Sequence, residues 1–171
     1  MAVTSRMEFI ARTQLTGAAA SVSFQTGLSG FTKFFFVFYL VNDASAKDVK
    51  LRLNNDSGTN YSGQWLMANG ATVSGTRTSG VFDHLRLNRS VTLAASSVML
   101  GRMEISKPVA GEVARITMSL SFDGTSPVGI LYQPMAAEWS NTADLINRID
   151  VSADAGNYAA GTRILLYGSK D

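Results

Sequence analysis

The chain has 171 residues, no cysteine, one histidine and a formal net charge of +2 at pH 7. The length favours one domain spanning residues 1–171. The lack of cysteine excludes a disulfide framework, thiol catalysis and cysteine-ligated metal sites, and a single histidine excludes a histidine-cluster zinc site. Only 16% of residues are charged, against about 25% in typical soluble domains, which predicts a surface covered by a partner or coated with serine and threonine.

No segment has the features of a nucleic-acid-binding patch, a secretory signal or a transmembrane helix. The arginines are scattered from Arg6 to Arg163, whereas a nucleic-acid footprint needs a basic cluster. No basic segment followed by an apolar stretch occurs near residue 1. The longest apolar run, Phe34 to Val41, is too short for a bilayer-spanning helix, which needs about 20 residues. We therefore expect a protein made in the cytoplasm, with no membrane partner and no specific nucleic acid.

Alternating apolar and polar residues, separated by turn residues, predict an all-β chain. In chain order the predicted strands are Met7 to Leu15, Ala19 to Phe24, Phe34 to Val41, Val49 to Asn54, Ser96 to Ser106, Val113 to Phe122, Val128 to Trp139, Asp144 to Val151 and Arg163 to Tyr167. Asp123-Gly124 predicts a short hairpin loop, because glycine tolerates a positive φ. The Gly/Ser/Thr-rich segment 69–80 predicts an irregular excursion, and residues 140–149 fit a helical turn about as well as a bulged strand.

This pattern predicts an antiparallel two-sheet β-sandwich, jelly-roll-like, with eight to ten strands. The strand from Phe34 to Val41 is apolar on both faces, which predicts that both faces are covered. The cover is either a second sheet with a loop or another subunit. Residues 1–8 form a candidate N-terminal arm that offers a strand to a neighbour's sheet edge, with Phe9 as a candidate interface residue.

The large aromatic residues are candidates for a binding surface. Trp65 and Trp139, with Tyr61, predict either a platform on which a sugar stacks or packing in the core or at an interface. Phe9 belongs to the same group of interface or glycan candidates.

Two polar groups of residues are candidates for chemistry. Asn54, Asp56 and Asn60 place oxygen atoms at alternate positions, which fits either a calcium loop or a network of Asx turns. His84 is the one imidazole available as a base, but it follows Asp83 directly, and neighbours on a strand project to opposite faces. We therefore expect no catalytic residues. No phosphate-binding loop is present, so no cofactor is expected.

Two segments resemble a pattern found in virion proteins of tailed bacteriophages. Residues 51–61 read LRLNNDSGTNY, which is similar to the family's L-x-L-N-x-D-x-G-x-N-Y strand and loop. Residues 146–149 read INRI, and residues 158–168 read YAAGTRILLYG, which is similar to the family's I-x-x-I stretch followed by F/Y-x-x-G-T/S-x-x-x-L-Y-G. The resemblance covers both ends of the predicted sandwich and hardly extends to residues 65–107.

The resemblance implies a non-enzymatic structural protein located in the virion and made in the host cytoplasm. The first expectation is a capsid decoration, or cement, protein that binds the major capsid protein or other virion proteins as a homo-oligomer, with a trimer favoured. A tail or head-fibre component is the second. A carbohydrate-binding module for host surface glycan is the alternative from another class, and an enzyme that uses His84 comes third.

Overall fold

The computed structural model describes residues 6–43, 48–69, 71–88, 96–107, 109–123 and 130–170. Strands are the only regular secondary structure in these ranges, which confirms the all-β prediction. No helix within them is long and apolar enough to cross a membrane. The ranges contain twelve strands, more than the eight to ten predicted: β1 (Met7–Gln14), β2 (Ser21–Phe24), β3 (Lys33–Val41), β4 (Val49–Leu53), β5 (Tyr61–Asn69), β6 (Thr72–Phe82), β7 (Leu85–Arg86), β8 (Val98–Ser106), β9 (Ala114–Asp123), β10 (Ile130–Trp139), β11 (Ile149–Ala153) and β12 (Arg163–Ser169).

The strands form two antiparallel sheets. The larger sheet has eight strands in the order β1-β12-β3-β8-β9-β10-β5-β6, and the smaller has four in the order β2-β11-β4-β7. Buried side chains from both sheets belong to one hydrophobic cluster. Within it, the ring centroid of Phe24 on β2 lies 5.8 Å from that of Phe36 on β3. The smaller sheet therefore packs against the inner face of the larger one.

Strand β6 replaces the irregular excursion predicted for residues 69–80, so that prediction is wrong. It pairs with β5 over most of its length and forms one edge of the larger sheet. An edge strand is held by backbone hydrogen bonds on one side and needs little apolar contact. Strand β6 therefore lacks the alternating apolar residues by which a strand is predicted from sequence. Residues 140–148 form neither a helix nor a strand, and β11 begins at Ile149.

The N-terminal arm and the predicted hairpin are only partly within the described residues. Strands β9 and β10 pair with Asp123 opposite Ile130, whereas the predicted turn at Gly124 lies outside the described ranges. Residues 1–5 of the arm also lie outside them. Met7 and Glu8 pair with this chain's own β12, so this part of the predicted arm already belongs to its own sheet.

Strand β3 is covered on one face only by the described part of this chain. Its inward side chains, Phe34, Phe36, Phe38 and Leu40, are buried in the core. On the other face, Val37 is 45% exposed and Tyr39 is 38% exposed. Both faces of this strand were predicted to be covered. Within the described residues, only the face toward the smaller sheet is covered.

Gly101 lets strand β8 pass beneath an aromatic ring of β3. A Cβ atom at Gly101 would lie 2.2 Å from Phe38 Cε2 and 2.5 Å from Leu120 Cδ2, which is closer than nonbonded atoms approach. We expect Gly101→Ala to lower the free energy of unfolding by about 1–3 kcal/mol, because the core must move to admit the methyl group. Urea unfolding measures this change. Gly17→Ala is the matched control, since no atom lies within 4 Å of a Cβ atom there, and equal midpoints for the two variants would contradict the packing.

Candidate functional site

The face of the larger sheet that points away from the smaller sheet carries most of the exposed large hydrophobic side chains. Ten such side chains are exposed among the described residues, and eight of them lie on this face, which we call the outer face. They are Met7, Phe9, Val37, Tyr39, Leu66, Val73, Leu100 and Tyr132. Monomeric soluble proteins rarely expose a contiguous apolar patch larger than a few hundred Å² without a function for it. The outer face is therefore the candidate functional site.

One end of the outer face is a continuous apolar area across β1, β12 and β3. The ring of Phe9 packs edge-to-face against Tyr167, with centroids 5.6 Å apart. Cross-strand register then places Tyr167 opposite Phe35 and, one row further, Leu165 opposite Val37. Directly opposed side chains on one face of an antiparallel pair touch, so this area is a single apolar surface.

The middle of the outer face combines apolar, aromatic and basic side chains. Tyr39 lies opposite Leu100, and the hydroxyl of Tyr132 hydrogen bonds with that of Ser119 at 3.3 Å. Arg102 lies opposite Val37 on one side and Ser119 on the other, and it makes no hydrogen bond or ion pair with the described residues. Tyrosine and arginine are the residue types that most often dominate binding energy at protein interfaces, alongside tryptophan.

At the other end, small side chains leave a groove between β10, β5 and β6. The groove has a volume of about 580 Å³. Leu66, Pro134 and Ala136 supply apolar lining, and Gln64 and Arg77 lie opposite each other on neighbouring strands beside it. The groove therefore offers apolar contact next to a guanidinium group.

The exposed face of the smaller sheet has the opposite character. Its outward side chains are polar or charged, and most of the charged groups form ion pairs. Arg52 Nη2 lies 2.6 Å from Asp83 Oδ2, and Arg148 Nε lies 2.8 Å from Asp150 Oδ2. Ion pairs at a surface are well solvated and contribute little to the stability of the fold. This face is suited to water, whereas the outer face carries the exposed large hydrophobic side chains.

The loop after β4 is closed by hydrogen bonds to Asp56 rather than arranged around a cation. Asp56 Oδ1 accepts the Gly58 amide at 2.8 Å, and Oδ2 accepts Asn60 Nδ2 at 2.8 Å and Trp139 Nε1 at 2.6 Å. Partial burial opposes ionisation, but these hydrogen bonds outweigh it and lower the pKa of Asp56 below its ordinary value. The described residues contain no group of three or more acidic or histidine side chains that could hold a metal ion. The geometry is that of the Asx-turn alternative.

Asn54 uses its side chain to hold the segment that precedes β11. Its Oδ1 accepts the amides of Asn147 at 2.8 Å and Arg148 at 3.1 Å, and its Nδ2 donates to the Leu145 carbonyl at 2.8 Å. Residues 51–61 and 146–149, the two segments singled out by the sequence resemblance, are thus in contact, and the Asn54 side chain joins them by hydrogen bonds to backbone groups.

Trp65 and Trp139 lie in the core, where they are 4% and 0% exposed. Trp139 stacks on Tyr61 with ring centroids 6.5 Å apart, and the ammonium of the buried Lys107 lies 4.8 Å from the centroid of the Trp139 ring. A ring with no exposed face cannot stack on a sugar, so both tryptophans are corrected from binding candidates to core residues. Phe9 differs, because it is 59% exposed on the outer face and stays a candidate interface residue.

His84 is held by its neighbour Asp83. His84 Nδ1 and Asp83 Oδ1 are 2.6 Å apart, and His84 Nε2 is buried without a hydrogen-bond partner in the described part of the chain. Burial lowers the pKa of His84, although the bond to Asp83 opposes the shift. No hydrogen bond joins this pair to a serine or threonine hydroxyl among the described residues, so the geometry does not assemble a nucleophile and a base.

We expect Asp56→Asn to destabilise the protein at pH 7 by about 1–2 kcal/mol, because one amide nitrogen would face N–H donors in place of a carboxylate oxygen. A carboxylate whose folded-state pKa is lowered adds stability above its unfolded pKa, and loses it as the pH falls through the folded value. The difference between wild type and variant should therefore shrink below about pH 4. Denaturation measured across pH tests this, with Glu112→Gln as control, and a difference that stays constant in acid would contradict it.

No family model and no curated protein matches this chain. Among solved structures it is similar to a xylan β-1,4-xylosidase from Bacillus halodurans C-125, at 10% sequence identity and with a TM-score of 0.24. The match covers 82% of this chain and 28% of the xylosidase, so the chain spans less than a third of that protein's length. A likeness this slight carries no argument about function.

Sequence reasoning identified only part of the outer face. It singled out Phe9 and the two-sided apolar strand that became β3. Leu66, Leu100 and Tyr132 were missed, because they join the same surface only once the order and register of five strands are known. The available signal was the run of alternating residues in each strand, which shows two faces without showing which one is covered.

Proposed function

We propose that this chain is a non-enzymatic structural protein of a bacteriophage virion, and specifically a capsid decoration protein that binds and stabilises the head shell. The observation that carries the proposal is the contrast between the two exposed sheet faces. The outer face is apolar and uncovered by the described residues, whereas the smaller sheet presents paired charges to water. This division suits a subunit that attaches to a large assembly through one face, because the buried core of an interface is more apolar than the rest of a protein surface.

The polar residues that were candidates for chemistry support a structural role. Asp56 and Asn54 bind backbone amides or core side chains, and Asp83 binds Arg52 and His84. Each of these groups is already occupied in holding the fold together. The proposed partners are therefore the major capsid protein or other virion proteins, together with copies of this chain in a homo-oligomer, for which we favour a trimer.

The strand order supports a jelly-roll β-sandwich as the finer description of the fold. If the hairpins β5–β6 and β9–β10 are set aside, the orders β1-β12-β3-β8 and β2-β11-β4-β7 remain, with four strands in each sheet. Successive strands β1 to β4 then alternate between the two sheets, as in a jelly roll. This architecture occurs in viral capsid proteins. The two additional hairpins widen only the larger sheet, and so enlarge the outer face.

The proposed mechanism is stabilisation by mass action. A protein that binds the assembled shell but not its free subunits shifts the assembly equilibrium toward the shell by its binding free energy. Many copies, each contacting more than one shell subunit, would sum this effect over the particle. The protein would be made in the host cytoplasm and would reside in the virion.

The copy number of the chain in purified particles tests the proposal. Quantitative mass spectrometry of the virus that encodes the chain should find hundreds of copies per particle, in fixed ratio to the major capsid protein. A few dozen copies or fewer would instead indicate a tail or head-fibre component. Absence of the chain from particles would overturn the proposal of a virion protein.

A further inference from the structure

The outer face is more basic than the chain as a whole. Of the charged side chains that the structure describes on it, six are basic and two are acidic, an excess of four positive charges, whereas the whole chain carries +2. The basic residues are Arg12, Lys33, Arg77, Arg102, Arg115 and Arg163, and the acidic ones are Glu104 and Glu138. The positive charge of the molecule is therefore concentrated on the face that also carries its exposed apolar residues.

Most of this positive charge is not neutralised by the side chains that the structure describes. Arg115 pairs with Glu138 at 2.5 Å. Arg77, Arg102 and Arg163 make no hydrogen bond or ion pair with the described residues. They lie on β6, β8 and β12, so guanidinium groups that have no partner among the described residues are distributed across the sheet. Arginine in such a position is suited to bidentate bonds with carboxylates of a partner.

The size of the outer face matches a stable interface. Eight strands spaced at about 4.8 Å make the sheet about 38 Å wide, and the four outward rows extend about 20 Å along the strands. The resulting area of about 760 Å² is close to the roughly 800 Å² that each partner contributes to a standard protein interface. One partner surface could therefore cover it.

A second copy of this chain is a poor occupant of the outer face. In a two-fold symmetric contact the same patch meets itself. The excess of positive charge on one copy would then face the same excess on the other, in a desolvated interface where like charges are costly. A partner that presents apolar side chains together with carboxylates satisfies both properties of the face.

The groove beside Arg77 indicates where such a partner makes its most specific contact. Leu66 and Pro134 supply apolar lining, and Arg77 and Gln64 lie next to them on paired strands. An apolar side chain can enter the groove while a neighbouring carboxylate accepts hydrogen bonds from the Arg77 guanidinium. The groove can thus recognise an apolar side chain and an adjacent carboxylate of the partner at the same time.

We propose that the outer face binds a protein surface that is both apolar and net acidic, and that the groove at Leu66 and Arg77 takes an apolar side chain of this partner beside one of its carboxylates. This inference rests on the proposed function, in which that surface belongs to the head shell. Beyond that function, the inference specifies that the shell surface is net acidic and that its most specific contact is made in the groove at Leu66 and Arg77.

Binding of purified protein to heads assembled without this chain tests the inference. We expect Arg77→Glu and Arg102→Glu each to weaken cosedimentation with these heads by about tenfold or more, and Leu66→Asp to do the same. Wild-type binding should also weaken as NaCl rises from about 0.05 M to about 0.5 M. Lys50→Glu is the matched control, because it makes the same charge change on the exposed face of the smaller sheet and should bind like wild type.

The outcomes separate the inference from the function. If wild type binds heads, but Arg77→Glu and Arg102→Glu bind as well as Lys50→Glu, the inference is overturned and the decoration function stands. If wild type does not bind heads at all, both are overturned. Sedimentation of the free proteins provides the second measurement: an oligomer unchanged by Arg102→Glu supports the inference, and one that dissociates shows that the outer face binds a second copy and overturns it.

Discussion

Replacing Val37 and Leu100 together by aspartate should reduce binding to heads that lack this chain by at least about 100-fold, with little change in the stability of the free protein. The two side chains lie at the centre of the outer face and are 45% and 51% exposed. In the free protein each aspartate would be hydrated, so folding should tolerate it. In the bound state each carboxylate would be buried in a surface suited to apolar contact, and an aspartate at position 37, which lies opposite Arg102, would also compete with the partner for that guanidinium group.

Leu145→Asp is the control for that variant. Leu145 is 50% exposed, as much as the two target residues, but it lies in the segment before β11 and not on the outer face. Cosedimentation and urea unfolding should be measured on both proteins. Equal binding by the double variant and the control would show that the centre of the outer face is not the contact surface.

The second large effect concerns the core. Trp139→Ala should lower the free energy of unfolding by about 3–5 kcal/mol, the usual cost of truncating a fully buried tryptophan. The indole stacks on Tyr61, lies against the ammonium of Lys107 and donates to Asp56 Oδ2. Its removal would leave a cavity, a buried cation without its aromatic neighbour and a carboxylate that lacks one donor.

Trp139→Phe separates these contributions. Phenylalanine fills much of the volume and keeps an aromatic face near Lys107, but it has no N–H group for Asp56. We expect an intermediate loss of stability, smaller in acid, where protonated Asp56 gains less from the indole donor. Thermal unfolding at pH 7 and near pH 3 gives the comparison, and a Trp139→Ala variant as stable as wild type would contradict the assignment of Trp139 to the core.

The all-β architecture was predictable because it depends on local patterns. In β4, for example, Val49, Leu51 and Leu53 alternate with Lys50 and Arg52, and this period appears in the structure as buried and half-buried positions. The edge strand β6 was not predictable in the same way, because Thr72–Phe82 has few apolar residues and is held by its backbone pairing with β5.

The candidate site was less predictable than the fold because it depends on register between distant segments. The opposition of Val37 and Leu165 is set by pairing of β3 with β12, and neither local sequence shows it. Burial of the tryptophans has the same origin: residues as large as Trp65 and Trp139 suit a core or a binding platform equally well by composition. In contrast, the polar loop at Asp56 could be interpreted locally, since short-range Asx hydrogen bonds involve neighbouring residues.

The paired charges on the smaller sheet have a consequence for how this protein should change over time. In the proposed decoration role, in which the outer face is attached to the shell, Lys50, Ser152 and their neighbours on the smaller sheet would face solvent. In that role, substitutions there would need to preserve solubility and little else, whereas those at Val37, Leu100 or Arg102 would have to match the surface of the proposed partner. Lineages that diverge from this one should therefore accumulate differences first on the smaller sheet, and should alter the outer face only when the partner changes with it.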